Sequence, residues 1–228
     1  DYLEPEWTSA LTFYPYNTPI THTKDRQVSA TVTLTEALPS GLALVGIGPD
    51  YFTFTGFGDG DNTVDVLSAG KTPDYLYHGN DPVSWKIVCS QAIWLALLGP
   101  DVVLSLESIP SIIDLGNSGP HEIFVTWGTP YAVTPTKKRM DYLYGYVSGS
   151  ASAYSVAEAI ATAVYSGTKF GQDDTAIHNV SLRLALDDKE TWNVDCNAAT
   201  RLAAWFVKMI GWPPGDQDII TAFPSTDY

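Results

Sequence analysis

The sequence predicts an α+β protein, with a β-sandwich in residues 1–130 followed by a mainly helical unit in residues 131–228. Up to residue 130, short runs of β-branched and aromatic residues recur between Gly- and Pro-rich turns, as in β-sandwiches. Beyond that point β-branched clusters are few, and two stretches carry helix start and stop signals. The net charge changes at the same place, from −11 over the first part to −3 over the second.

Strands in the first 130 residues are predicted by the alternation of apolar and polar side chains and by the turns between the runs. Residues 28–34 show this pattern most clearly, because they alternate and are rich in Val and Thr. Gly-rich turns at 58–62 and 116–120 bound other runs. The predicted strands and apolar runs are 28–34, 42–47, 51–57, 63–67, 83–98, 102–109 and 121–127.

The first helix of the second unit is predicted over residues 155–166. Ser155 and Glu158 have the spacing of a capping box, in which each side chain bonds the backbone amide of the other residue. An Ala-rich stretch follows, and Gly167 stands where a C-cap glycine belongs. The sequence from Met140 onward is also predicted to be helical.

A second helix is predicted from Cys196 to Ile210. Asp195 is a good N-cap, Gly211 suits the C-cap, and two prolines soon afterwards prevent the helix from continuing. An apolar stripe recurs at helical spacing on Leu202, Phe206, Met209 and Ile210.

Composition excludes several classes of protein. The chain has 228 residues, a net charge of −14, 45% hydrophobic residues and only 17% charged residues. This composition is typical of a folded chain, and its acidity disfavours a nucleic-acid partner. No apolar run reaches the ~18 residues of a membrane span. The acidity, the few lysines and a start at Asp1 predict an extracellular or cell-surface protein whose signal peptide has been removed.

Cys196 is the residue whose position indicates chemistry. A thiol in the first turn of a helix is stabilised as thiolate by the free amides and the helix dipole, as in cysteine nucleophiles. Two structural alternatives stay open: a disulfide with Cys89, or an inert buried thiol.

A family resemblance adds to this reading. The segment from Trp192 through Cys196 to Gly211 and Pro213 resembles the nucleophile helix of transglutaminase-like proteins, the papain-like cysteine acyltransferases and peptidases. In that superfamily a cysteine opens an apolar helix that closes with a Gly-x-Pro sequence, and a further helix lies upstream. The resemblance covers about residues 140–213.

The resemblance implies a Cys-His-Asp triad, with Cys196 as the nucleophile. In the family the histidine and the aspartate follow the cysteine, whereas all four histidines here precede it. Three explanations stay open: the chain is a truncated piece that lacks the histidine-bearing strands, it is a non-catalytic relative that keeps the helix for packing, or an upstream histidine serves, as in permuted relatives. For the last case His121 and His178 are the candidates for the base. Asn193 or Asn197 would then orient the histidine or line the oxyanion hole.

The expected function is cysteine-dependent acyl transfer or peptide hydrolysis on a protein or peptide substrate, provided that a histidine partner exists. The alternative is a non-catalytic binding or structural module, in which Cys89 and Cys196 could form a disulfide. A third hypothesis, a glycan-active protein, is supported by composition alone. No cofactor and no metal are expected, because the nucleotide and zinc motifs are missing. The carboxylates of Asp59, Asp61 and Asp65 are interpreted as an ordinary acidic turn, because key residues of a calcium loop are lacking.

Overall fold

The computed structural model describes residues 21–130, 137–170, 192–194 and 196–212 of the chain. These residues form nine strands and five α-helices. The strands are β1 (Thr21–Thr23), β2 (Gln27–Thr33), β3 (Leu42–Ile47), β4 (Phe54–Phe57), β5 (Thr63–Lys71), β6 (Tyr77–Cys89), β7 (Ile113–Thr126), β8 (Thr168–Phe170) and β9 (Trp192–Val194). The helices are α1 (Ser90–Ala96), α2 (Val102–Ser108), α3 (Lys137–Val147), α4 (Ala153–Gly167) and α5 (Cys196–Met209).

Seven of the strands form one mixed sheet in the order β1-β7-β6-β3-β4-β5-β2. The pairs β2–β5, β4–β5, β3–β4 and β3–β6 are antiparallel, whereas β1 runs parallel to β7. The short strands β8 and β9 form a separate parallel pair.

The predicted β-sandwich followed by a mainly helical unit is wrong. Over the described residues, 34% are helical and 37% lie in strands, and the strands of the first part belong to the single seven-stranded sheet. The apolar runs at 90–96 and 102–108 are helices, which cover one face of that sheet where a sandwich would place a second sheet. A short apolar run does not by periodicity alone distinguish a strand from a buried helix.

Several elements are confirmed. The strand predicted at 42–47 is β3, and the helix predicted from Cys196 to Ile210 is α5. The run at 51–57 is a strand only in its second half, because a 3-10 turn occupies Asp50–Phe52.

Helix α4 begins one turn earlier than the capping box predicted. Its N-terminal cap is Ser152, whose hydroxyl accepts a hydrogen bond from the amide of Ser155 at 3.1 Å. The hydroxyl of Ser155 accepts one from the amide of Ser152, also at 3.1 Å. The reciprocal pattern is that of a capping box, but it joins two serines and not Ser155 and Glu158.

By its contacts the chain divides into two compact units. Unit 1 contains the described residues of 1–24, 74–78 and 123–228, and unit 2 contains 25–73 and 79–122. The predicted boundary between domains 1–130 and 131–228 stays a prediction.

The core of unit 2 includes the α1–α2 side of the sheet. Residues that alternate along β3 and β6 are buried there with one inward side chain from each helix: Ala43, Val45, Val88, Ile93 and Leu106. On the other face of β3, the rings of Phe54 and Trp85 stack at 5.9 Å. Gly46 pairs with both residues in register, and a Cβ added to it would lie 2.8 Å from the Trp85 ring.

The core of unit 1 is formed mainly by α3, α4 and α5. Its fully buried side chains include Met140, Leu143, Val156, Ile160, Phe206 and Met209. Tyr142 donates a hydrogen bond from α3 to the carbonyl oxygen of Ala163 on α4 at 2.6 Å, and Tyr144 donates one to Val125 on β7 at 2.7 Å. Burial raises the pKa of the Tyr144 hydroxyl, which therefore stays protonated and keeps its donor role.

Candidate functional site

Cys196 is the first residue of α5, and strand β9 ends two residues before it. The backbone therefore places this cysteine at the amino end of a 14-residue helix, where the first amides have no partner within the helix. For Cys196 the structure describes the backbone alone. This placement agrees with the one predicted from Asp195 and the apolar stripe.

Asn193 is the central residue of β9 and pairs in register with Lys169 of β8. Because β8 follows α4 directly and β9 leads to α5, the parallel pair joins the two helices at one short sheet. Asn193 and Cys196 thus belong to consecutive elements of unit 1.

The carboxyl end of α5 is fixed by backbone contacts. Gly211 has a φ of +67°, and its amide and that of Trp212 bond the carbonyls of Lys208 and Val207, the pattern of a Schellman motif. The amide of Trp127 on β7 bonds the carbonyl of Ile210 at 2.8 Å. The rings of Trp127 and Trp212 stack at 4.4 Å, so the helix is held against β7.

A second chemically suggestive pair in unit 1 is His78 and Asp141. His78 Nε2 lies 4.0 Å from Asp141 Oδ1, a distance longer than a hydrogen bond and within range of an ion pair. The His78 ring stacks on Phe124 at 4.2 Å and meets the edge of Tyr144. The aromatic rings hold the imidazole in place. Both side chains of the pair are about one-third exposed, so the imidazole remains accessible to water.

His121 lies in unit 2, on β7. Its Nε2 is 2.6 Å from the hydroxyl oxygen of Ser118, which also accepts a hydrogen bond from Trp85 and donates to the carbonyl of Val83 at 3.0 Å. A hydroxyl has one proton, so donation to Val83 makes His121 Nε2 the donor to Ser118. Ser118 and His121 both lie within β7, so the turn predicted at 116–120 is wrong. Their hydrogen bond leaves neither a free base at Nε2 nor an activated serine.

The other histidines differ in environment. Burial lowers the pKa of His22, on β1, to about 4, so this imidazole is a weak base. His178 lies outside the described residues, as does the strand predicted after it.

Cys89, at the end of β6, is exposed and free. A disulfide with Cys196 was the alternative role considered for this cysteine, and the structure shows no bridge at Cys89.

The His78–Asp141 pair and the Ser118–His121 contact were not found by sequence reasoning. His78 and Asp141 are 63 residues apart, and nothing in the sequence shows that a strand end and a helix meet. Ser118 and His121 lie three residues apart within β7, a separation that does not predict a side-chain contact along a regular strand.

Among the described residues, no helix is both long and apolar enough to cross a bilayer. Comparison with protein-family models, curated proteins and solved structures finds no match to the chain.

Proposed function

We propose that the protein catalyses cysteine-dependent acyl transfer or peptide hydrolysis, with Cys196 as nucleophile. The observation that carries this proposal is the position of Cys196 at the start of α5, a helix whose apolar side is buried and whose far end is anchored to β7. A rigid helix with a cysteine in its first turn supplies unpaired amides and a favourable dipole at the sulfur. The resemblance of residues 140–213 to transglutaminase-like proteins supports the same role.

His78 is the histidine that we assign as the base. It is in the same unit as α5, has a carboxylate partner in Asp141 and remains accessible to water. His22 is too weakly basic, and His121 is engaged by Ser118. His178 and His121 stay the alternatives that the sequence suggested.

The proposed reaction begins when the Cys196 thiolate attacks the carbonyl carbon of a protein or peptide substrate. A C–S bond forms, the C–N bond breaks, and the leaving amine takes a proton from the His78 imidazolium, which Asp141 stabilises. Amides at the start of α5 stabilise the oxyanion that forms in between. Water or a second amine then attacks the thioester and gives its proton to His78, and the thiolate leaves.

The test compares two thiols in one molecule. Iodoacetamide is added at pH 6, and the alkylation of each cysteine is followed by peptide mass spectrometry. Because a thiolate is the reactive species, we expect Cys196 to react about tenfold faster than the exposed Cys89. His78→Asn should slow Cys196 about fivefold and leave Cys89 unchanged, whereas the matched variant His121→Asn should change neither rate.

Equal rates for the two cysteines at pH 6 would contradict a nucleophilic role for Cys196. Slow alkylation of Cys196 in a protein that is fully folded would favour the non-catalytic module. A second measurement detects the acyl-enzyme directly: p-nitrophenyl acetate should acetylate Cys196 and release p-nitrophenolate in a burst that Cys196→Ser abolishes. Absence of that burst in the wild-type protein would also contradict the proposal.

A further inference from the structure

Helices α1 and α2 in unit 2 are apolar on both sides. Their inward side chains Ile93 and Leu106 are fully buried in one cluster with β3 and β6. Residues 90–108, which contain both helices, include only two charged side chains, those of Asp101 and Glu107. A helix that covers a sheet on one side normally presents polar residues on the other, so an apolar outer side requires a separate explanation.

The outer side is defined by helical geometry and by exposure. Trp94 and Leu95 follow Ile93 by one and two residues, which turns them away from the sheet. Leu104 precedes Leu106 by two residues and is turned away in the same manner. We call the exposed residues of these helices and of the turn after α1 the outer apolar face: Trp94, Leu95, Leu97, Leu98 and Leu104. Their exposed fractions include 84% for Leu98, 68% for Leu95, 64% for Leu104 and 59% for Trp94.

Trp94 in this face is already positioned. Its ring stacks on Phe57 of β4 at 4.8 Å with planes 9° apart, and it still exposes more than half of its surface. An aromatic side chain that is held in place in the free protein loses little freedom when a partner covers it. Such residues are typical anchors of protein interfaces.

The outer apolar face exposes on the order of 600 Å² when Phe57 is included. That is the upper end of the largest apolar patch on a typical monomer, about 300–600 Å². Two such faces in contact would bury on the order of 1,200 Å², the lower limit for a stable interface.

We propose that the outer apolar face is the interface of a homodimer in which a second copy of the chain covers it. A two-fold axis pairs the face with itself, so one self-complementary patch is sufficient. The net charge of −14 opposes docking on anionic lipid. The five residues of the outer apolar face carry no charge, so two copies can meet there despite their like net charge. The proposal is independent of the role assigned to Cys196.

The experiment is sedimentation equilibrium of the wild-type protein from about 1 to 100 μM. We expect a monomer–dimer equilibrium that strengthens at higher salt, because salt screens the repulsion between the two acidic copies. Leu98→Glu, in the turn after α1, and Leu104→Glu, on α2, should each weaken dimerisation about tenfold or more. The matched control is Tyr165→Glu on α4, which adds the same charge at a side chain that is 76% exposed in unit 1 and should leave the equilibrium unchanged.

Circular dichroism of each variant checks folding, which these exposed positions should preserve. A wild-type protein that is monomeric throughout the range overturns the proposal. So does an equal weakening by Tyr165→Glu. A monomer that cofloats with phosphatidylcholine vesicles, and loses this with Leu98→Glu, would overturn the dimer and identify the face as a lipid contact.

Discussion

The ammonium group of Lys86 on β6 donates a hydrogen bond to the carbonyl oxygen of Ile109, just beyond the end of α2, at 2.8 Å. A second bond from the same group reaches the carbonyl of Glu107 at 3.1 Å. The last carbonyls of a helix have no partner within it, so this lysine completes the carboxyl end of α2 and fixes the helix to the sheet. Burial lowers the pKa of Lys86, and the charges of Glu107 and Asp114 oppose that shift.

The first prediction concerns this cap. Lys86→Met keeps the length and the apolar stem of the side chain but removes both hydrogen bonds, and we expect a loss of about 1–2 kcal/mol in the free energy of unfolding. Urea denaturation followed by fluorescence measures it. Lys71→Met is the control, because Lys71 pairs with Asp25 at the surface and its loss should cost at most about 0.5 kcal/mol. Equal effects of the two substitutions would contradict the capping role.

The second prediction concerns pH. The folded pKa of His22 is lowered to about 4, from an unfolded value near 6.5, because burial penalises the charged ring. The unfolded state therefore binds more protons between these values, and stability falls as the pH drops from 6.5 towards 4. We expect a loss of about 1–2 kcal/mol between pH 7.5 and pH 5, measured by urea denaturation at both values. His22→Gln should remove most of that difference; if the variant keeps it, another group is responsible.

The third prediction concerns the approach of two glycines. Gly211 has a φ of +67°, and a Cβ on it would collide with the backbone of Gly128. We expect Gly211→Ala to destabilise the protein by about 3 kcal/mol, through backbone strain and displacement of the end of α5. Gly116→Ala separates the two causes, because Gly116 has a φ of +78° with nothing within 4 Å of the added Cβ, so it should cost only about 1 kcal/mol. The midpoints of thermal unfolding rank the two variants, and a smaller shift for Gly211→Ala would count against the close approach.

The fourth prediction separates two capping boxes at α4. Ser152→Ala removes the observed cap and should cost about 1 kcal/mol of stability. Glu158→Ala, which would remove one side chain of the box that the sequence predicted, should change stability by less than about 0.5 kcal/mol because Glu158 is exposed. Chemical denaturation of both variants is the measurement, and the reverse ranking would restore the box at Ser155.

The elements that sequence predicted well are those with local signals. Helix α5 has its apolar stripe and the glycine of its C-cap within one stretch of 16 residues, and β3 has a turn before an uninterrupted apolar run. Helices α1 and α2 carry apolar residues on both faces, so periodicity did not distinguish them from strands of a second sheet. The backbone position of Cys196 was predictable for the same local reason.

The long-range pairs were not predictable. His78 and Asp141 lie close together because the rings of His78 on β6 and Tyr144 on α3 pack against each other and against Phe124 on β7. That meeting depends on strand order, and no local pattern encodes it. Likewise, Ser152 and Ser155 are both suitable N-cap residues, and they lie about one helical turn apart. The sequence therefore did not determine which of the two caps α4.

Two strands are shared between the compact units. β6 passes from unit 1 to unit 2 after His78, and β7 passes back after Glu122. The chain also passes between the units after Lys24 and after Pro73, so it crosses between them four times in all. A single exchange of gene segments therefore does not swap one unit for another, and a recombination event that joins residues 1–130 to a foreign second half would leave unit 1 without its helices. Exchange of either unit would require several separate segments of the chain to be replaced together.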